Sequence, residues 1–133
     1  MRARLVGKLC LAITLAALPL VVGCRGNKVG TAACTPGEPV FVSCGCLGVG
    51  SCSEQPDPVL RVCDGSLSQE DCTWDVQLGE NDDGPMCGRC PGLTVTCPDS
   101  GDLLVIARGY YPNEIVDCDW AVHEGGPPPP PEE

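Results

Sequence analysis

The stretch LTVTCPDSGDLLVIARGY, residues 93–110, decides how the chain folds. Its two flanks, LTVTC and DLLVIARGY, are rich in β-branched and aliphatic residues and partly alternate, the pattern of short strands. Between them, PDSGD is turn chemistry. Proline presets φ, aspartate and serine bond their own backbone, and glycine accepts positive φ. The same rhythm recurs outward on both sides. PVFVSC (39–44), PVLRVC (58–63) and DVQLG (75–79) read as strands before it, and NEIVDCDWAV (113–122) as a last strand after it. Clusters such as NDDGP separate them. No window has a 3.6-residue apolar period, and only LSQEDCTW (67–74) has the makings of one helical turn. The chain therefore predicts an all-β domain, a small disulfide-rich β-sandwich over residues 34–123.

The amino-terminal end has another composition. Arg2, Arg4 and Lys8 precede the apolar run 9–22, which contains Pro19 and ends in small residues. That is the layout of a secretory signal peptide, 1–23, and the run is shorter than the roughly 20 residues of a membrane span. Removing it takes three cations and no acids, so the net charge moves from −10 to −13. Such a surface repels nucleic acid and anionic headgroups and suits cations or basic partners. Of the 12 cysteines, Cys10 leaves with the leader and Cys24 stands at its end. The other ten are Cys34, Cys44, Cys46, Cys52, Cys63, Cys72, Cys87, Cys90, Cys97 and Cys118. An even number in an exported chain predicts five disulfides, with the connectivity open. The bridges have work to do, because residues 24–133 hold only 26 Val, Ile, Leu, Met, Phe, Trp and Tyr. Cystine substitutes for hydrophobic bulk.

Val21-Val22-Gly23-Cys24 resembles the bacterial lipobox: an aliphatic residue, a tolerant position, a small residue, then the cysteine. The resemblance implies that a diacylglyceryl group is attached to the Cys24 sulfur and that Cys24 is residue one of the mature chain. The membrane is then a partner through that lipid. Arg25 is not the aspartate associated with inner-membrane retention, so the expected place is the bacterial outer membrane. Residues 24–33 read as a tether; nine extended residues span at most about 30 Å, which keeps the domain close to the bilayer. At the other end, EGGPPPPPEE (124–133) reads as a disordered, extended polyproline II tail.

Three blocks in the middle of the chain form an ordered set: DPVLRVCDG (57–65), LGENDDG (78–84) and residues 93–110. Together they resemble the bacterial pre-peptidase C-terminal domain. In that family an aspartate precedes an apolar strand, an Asn-Asp-Asp turn follows, and a Ser-Gly introduces a strand ending in a Gly-Tyr. Ser100-Gly101 and Arg108-Gly109-Tyr110 occupy those last places. The resemblance implies a jelly-roll-like β-sandwich that acts in attachment, substrate binding or secretion and not in catalysis. The chain departs from the pattern in carrying Leu103-Leu104 where the family has an aromatic pair, in its ten cysteines, and in lacking a protease domain to serve. ENDDG reads as a strand-to-strand turn, since Asn and Asp tolerate left-handed backbone and Gly84 supplies positive φ. It is also open to a second reading. Glu80, Asn81, Asp82 and Asp83 offer the oxygens that Ca²⁺ takes, and some relatives bind calcium.

CGCLGVGSC (44–52) and CGRC (87–90) have the look of metal or redox motifs. An oxidising compartment consumes free thiolates, and His123 is the only histidine, so disulfides outweigh a thiol-bound metal. Pro91 and Gly92 follow Cys90 directly; no helix starts there to activate a thiol. No GxSxG elbow occurs and His123 lies beside the tail, so acyl transfer has no support and the chain is not expected to be an enzyme. The expected function is a binding or adhesion module at the cell envelope, taking an envelope or extracellular protein or a polysaccharide. The other readings are a structural envelope lipoprotein without a discrete ligand and a thiol-based metal-binding protein.

Overall fold

A computed structural model describes residues 28–53, 57–83, 87–111 and 114–129, with the backbone of Ala12–Leu15 and Leu18–Val21. Nine strands build the domain: β1 (Lys28–Ala33), β2 (Pro39–Ser43), β3 (Ser51–Cys52), β4 (Pro58–Asp64), β5 (Gly79–Asn81), β6 (Gly92–Thr96), β7 (Asp102–Gly109), β8 (Cys118–Asp119) and β9 (Ala121–Glu124). One four-stranded sheet has the order β1-β7-β4-β5 and one three-stranded sheet the order β9-β2-β6, with β8 and β3 forming a small ladder of their own. All pairs are antiparallel. The chain crosses between the two larger sheets from β1 to β2, from β2 to β4, from β5 to β6, from β6 to β7 and from β7 to β9, the jelly-roll-like habit. Ala12–Leu15 and Leu18–Val21 pair with each other, Ala12 opposite Val21, and among the described residues with no other strand.

The sandwich core lies between the larger sheets. Val40 and Val42 of β2 and Val95 of β6 meet Leu60 and Val62 of β4 and Leu103, Val105 and Ala107 of β7. In β7 the alternate residues Leu104 and Ile106 point the other way and are just as buried. They pack with Leu67, Cys63 and Cys72 beneath the loop joining β4 to β5. The three-stranded sheet is covered in the same way. Phe41, on the outer side of β2, packs with Cys46, Val49, Leu47 and Cys87 beneath the loop after β2. Both sheets thus bury apolar side chains on both faces, which is why β7 and β2 read as near-continuous apolar runs and not as clean alternation.

The ten cysteines form five bridges: Cys34–Cys97, Cys44–Cys118, Cys46–Cys87, Cys52–Cys90 and Cys63–Cys72. Each apolar cluster contains at least one of them. Cys34–Cys97 and Cys44–Cys118 belong to the central core, Cys63–Cys72 fastens the loop over one sheet, and Cys46–Cys87 the loop over the other. That last loop turns on glycine. Gly45, Gly48 and Gly50 all have positive φ, and so does Leu47. Ser43 is buried beneath it. Its Oγ accepts the Cys46 N–H at 2.7 Å and donates to the Pro91 carbonyl at 3.1 Å, satisfying groups that would be costly to bury alone. Ser100 has a comparable structural role at the far end of the sheet, where its hydroxyl donates to Asp64 at 2.6 Å.

Several strand expectations are corrected. The tether read over 24–33 holds no strand in that reading, yet Lys28–Ala33 is the edge strand β1, in register with Asp102–Ala107 of β7. Its small residues hid it. Trp120 lies over Gly30, where a Cβ would sit 2.7 Å from the indole, so the apolar partner of this strand comes from elsewhere in the chain. Asp75–Gly79 is mostly turn, because Val76 and Gln77 donate to the Thr73 carbonyl; the strand is Gly79–Asn81. The last expected strand divides at Trp120 into β8 and β9, which pair with different partners. The tail expected from residue 124 begins later, since Glu124 ends β9 and the Gly125 N–H donates to the Pro39 carbonyl. Cys24 and residues 130–133 lie outside the described residues.

Two stability outcomes follow from this bracing. Cys44 and Cys118 are 74 residues apart and Cys63 and Cys72 only nine. In the chain-entropy account, replacing the first pair with alanine costs about 4.4 kcal/mol and the second about 2.6 kcal/mol, a ranking that denaturant melts of the two double variants will show. Gly50 has φ +74°, and a Cβ there would stand 2.4 Å from the Asp119 carbonyl oxygen and 2.6 Å from that of Ser43. Gly50→Ala is expected to lose about 3 kcal/mol or more in the same melts.

Candidate binding site

One end of the four-stranded sheet carries a polar cleft. It is the end where β1 and β4 begin and β5 and β7 finish, since Lys28 is level with Ala107, Leu60 with Ala107, and Leu60 with Asn81. Asp57 stands immediately before β4, Asp82 and Asp83 immediately after β5, and Tyr110 and Tyr111 immediately after β7. With Glu114 and Arg89 these residues line a cavity of about 490 Å³. Backbone bonds hold the segments together. The Tyr110 N–H donates to the Asp57 carbonyl at 2.9 Å, and the Tyr111 N–H donates to Glu114 Oε1 at 2.8 Å. Gly109 makes room for Glu114, whose Cβ would lie 2.5 Å from any added methyl. The two tyrosine rings are exposed and meet edge to face, centroids 5.0 Å apart.

The carboxylates of Asp57, Asp82 and Asp83 each place an oxygen within 4.8 Å of the others. Asp57 Oδ1 is buried without a hydrogen-bond partner. Burial raises the Asp57 pKa, and the charges of Asp83, Asp82 and Glu114 raise it further, while Arg89 opposes them. Four acids and one guanidinium leave this end strongly negative, with two aromatic faces at its rim. Such a lining can hold a cation through carboxylate oxygens, or an ammonium or guanidinium group through both carboxylates and rings.

The set read from ENDDG is therefore divided. Asp82 and Asp83 are in the cleft. Glu80 is not: it stands on the outer face of the sheet, bonded to Arg61 at 2.6 Å and to Arg108 at 3.4 Å. Strand alternation separates them, because Gly79 faces Leu93 of the other sheet and its neighbour Glu80 must face outward. Asn81 lies on β5 with a buried, unpartnered Oδ1. Asp57, Tyr110, Tyr111, Glu114 and Arg89 are not among the site residues expected from the sequence, although Asp57 and Tyr110 bound the blocks that carry the family resemblance. CGRC, read as disulfide-forming and not as a redox or metal motif, supplies the loop that carries Arg89, with Cys87 and Cys90 bridged to Cys46 and Cys52.

These features define a disulfide-braced β-sandwich with an acidic, tyrosine-rimmed cleft at one end. No protein-family model, curated protein or solved structure matches the chain.

The cleft has a pH signature. A carboxyl whose pKa is higher in the folded than in the unfolded chain favours folding while protonated, and that contribution is lost as pH rises through the shifted value. Asp57→Asn is accordingly expected to stabilise the metal-free protein near neutral pH, and to make no difference once pH falls below the ordinary aspartate range. Asp64, held low by the Ser100 hydroxyl, and Asp119, held low by Lys28, have the opposite sign. Their contributions are present at neutral pH and lost on acidification. Urea melts of wild type and variant across that range measure both.

Proposed function

We propose that this protein is a non-catalytic binding module held at the bacterial cell envelope by a lipid on Cys24, in the outer membrane. The observation that carries the binding role is the convergence of Asp57, Asp82, Asp83, Glu114, Tyr110 and Tyr111 on one cleft from three separate stretches of chain. None of these side chains is needed for the core, and mutual repulsion of the acids makes the arrangement unfavourable without a ligand. The anchor rests on Val21-Val22-Gly23-Cys24 at the end of the leader. A role in attachment agrees with the resemblance of residues 57–110 to the pre-peptidase C-terminal domain. The partner is an envelope or extracellular protein or a polysaccharide.

Calcium is the second reading, favoured by the mutual spacing of the three aspartates. Ca²⁺ takes carboxylate oxygens at about 2.3–2.6 Å, and the three aspartates each offer an oxygen within 4.8 Å of the others, close enough to share one ion. Asp57, Asp82 and Asp83 would hold the ion, and its charge would neutralise the repulsion among them.

The mass of the intact mature protein tests the anchor and the bridges together. The expected spectrum shows an acylated chain beginning at Cys24, with a deficit of about two daltons for each of five bridges. A chain without acyl mass rules the anchor out. Thermal melts test the ion. Calcium at a hundred times its dissociation constant adds about 2.7 kcal/mol of stability, and Asp57→Asn should abolish the increment. A flat response, with Tyr110→Ala and Tyr111→Ala leaving envelope binding unchanged, would favour the structural lipoprotein.

A further inference from the structure

The exposed large apolar side chains among the described residues gather on one half of the molecule. Val29 (40 % exposed), Trp74 (77 %), Val76 (48 %) and Leu78 (40 %) belong to the outer side of the four-stranded sheet and the loop that crosses it; Tyr110, Tyr111 and Ile115 follow β7 at the cleft end. The outer side of the three-stranded sheet contributes none of them, because Phe41 there is covered. The face is continuous. Val29 is opposite Ile106, Ile106 opposite Arg61, and Arg61 opposite Glu80, so one cross-strand row runs from edge to edge. Cys72 and Leu67 pack on Ile106, and the Arg61 guanidinium donates to the Cys72 carbonyl at 3.1 Å, which seats the loop carrying Trp74 on the same row.

Trp74 stands two residues beyond Cys72, whose bridge to Cys63 fixes the start of this loop to the sheet. What covers Trp74 is indicated by where the chain leads. Cys24 is four residues before Lys28, the first residue of β1, and four extended steps span at most about 14 Å. Val29 is the next residue. A leash this short keeps the start of β1, and Val29 with it, close to the surface that holds Cys24. Tryptophan at the headgroup level is also the favoured residue of a membrane–water interface. Charge is smallest on the strand surface itself, where Arg61 and Arg108 are paired with Glu80, whereas the cleft end carries four carboxylates against Arg89 alone. Asp75 beside Trp74 limits the depth to the headgroup layer.

We propose that the outer face of the four-stranded sheet, led by Trp74, lies on the bilayer that holds the protein's own anchor. The partner is the lipid interface, and the cleft opens sideways along it. This rests on acylation of Cys24.

Fluorescence separates the two ideas. The full chain, recovered from host membranes and reconstituted in phosphatidylcholine–phosphatidylethanolamine vesicles bearing a doxyl-labelled lipid, should show Trp74 emission quenched by the label and shielded from iodide. Trp74→Phe should remove that response and leave only Trp120, which is tucked against Gly30. An acylated chain whose Trp74 is as open to iodide with vesicles as without them overturns the docking face while the anchor stands. If the mass spectrum lacks the acyl group, a maleimide lipid coupled to the Cys24 thiol restores the leash. Shielding of Trp74 then still supports the face, and its absence overturns it. With a single coupled chain, Trp74→Ser should lower vesicle partition about tenfold, the loss expected for on the order of 60 Å² of buried apolar surface.

Discussion

The fold depends on covalent closure of its outer layers. A sandwich of this size has one interior, but the chain buries apolar side chains on both faces of both sheets and has few with which to cover them. The solution is to lay a loop over each outer face and lock it with a bridge, Cys63–Cys72 on one side and Cys46–Cys87 on the other. Each half-cystine is itself apolar and buried, so it fills space as well as restraining the unfolded chain. The loop over Phe41 could not take its path without the positive φ of Gly45, Gly48 and Gly50, nor rest on the sheet without Ser43 satisfying the Cys46 N–H beneath it. Bridge, glycine and buried hydroxyl form one device.

The same economy shapes the acidic end. Because disulfides and the two packed sheets supply the order, the strand termini there are free to carry charge in place of more core. Asp57, Asp82, Asp83 and Glu114 collect where four strands start or stop, and Tyr110 and Tyr111 leave the sheet without being drawn into it. Their proximity imposes a cost in repulsion that a cation or a basic group would relieve. Glu80, one residue from Asp82's neighbour, shows how sharply the sheet partitions function. On the outer face it neutralises Arg61 and Arg108 and braces the surface instead of joining the cleft.

Much of the fold was legible in order and little of the site. The strands centred on residues 39–44, 58–63, 93–97 and 102–109 announce themselves by β-branched content between Gly, Pro and Asp clusters, and turns write their own chemistry locally. The edge strand Lys28–Ala33 was invisible because its residues are small and polar, and its packing partner, Trp120, is 90 residues away in the chain. NEIVDCDWAV reads as one strand but serves two ladders, since strand pairing is a property of the partner as much as of the segment.

By itself, then, the amino-acid sequence determined the all-β class, the even set of ten cysteines from Cys34 onward and the strongly acidic balance, because periodicity, turn residues, composition and charge are local or additive properties. Only the tertiary structure decided which cysteines pair, which face each strand shows, and that Asp57 stands with Asp82 and Asp83 while Glu80 does not. Those are relations between distant segments, set by sheet register and by a two-residue alternation in which a single step moves a side chain to the opposite side.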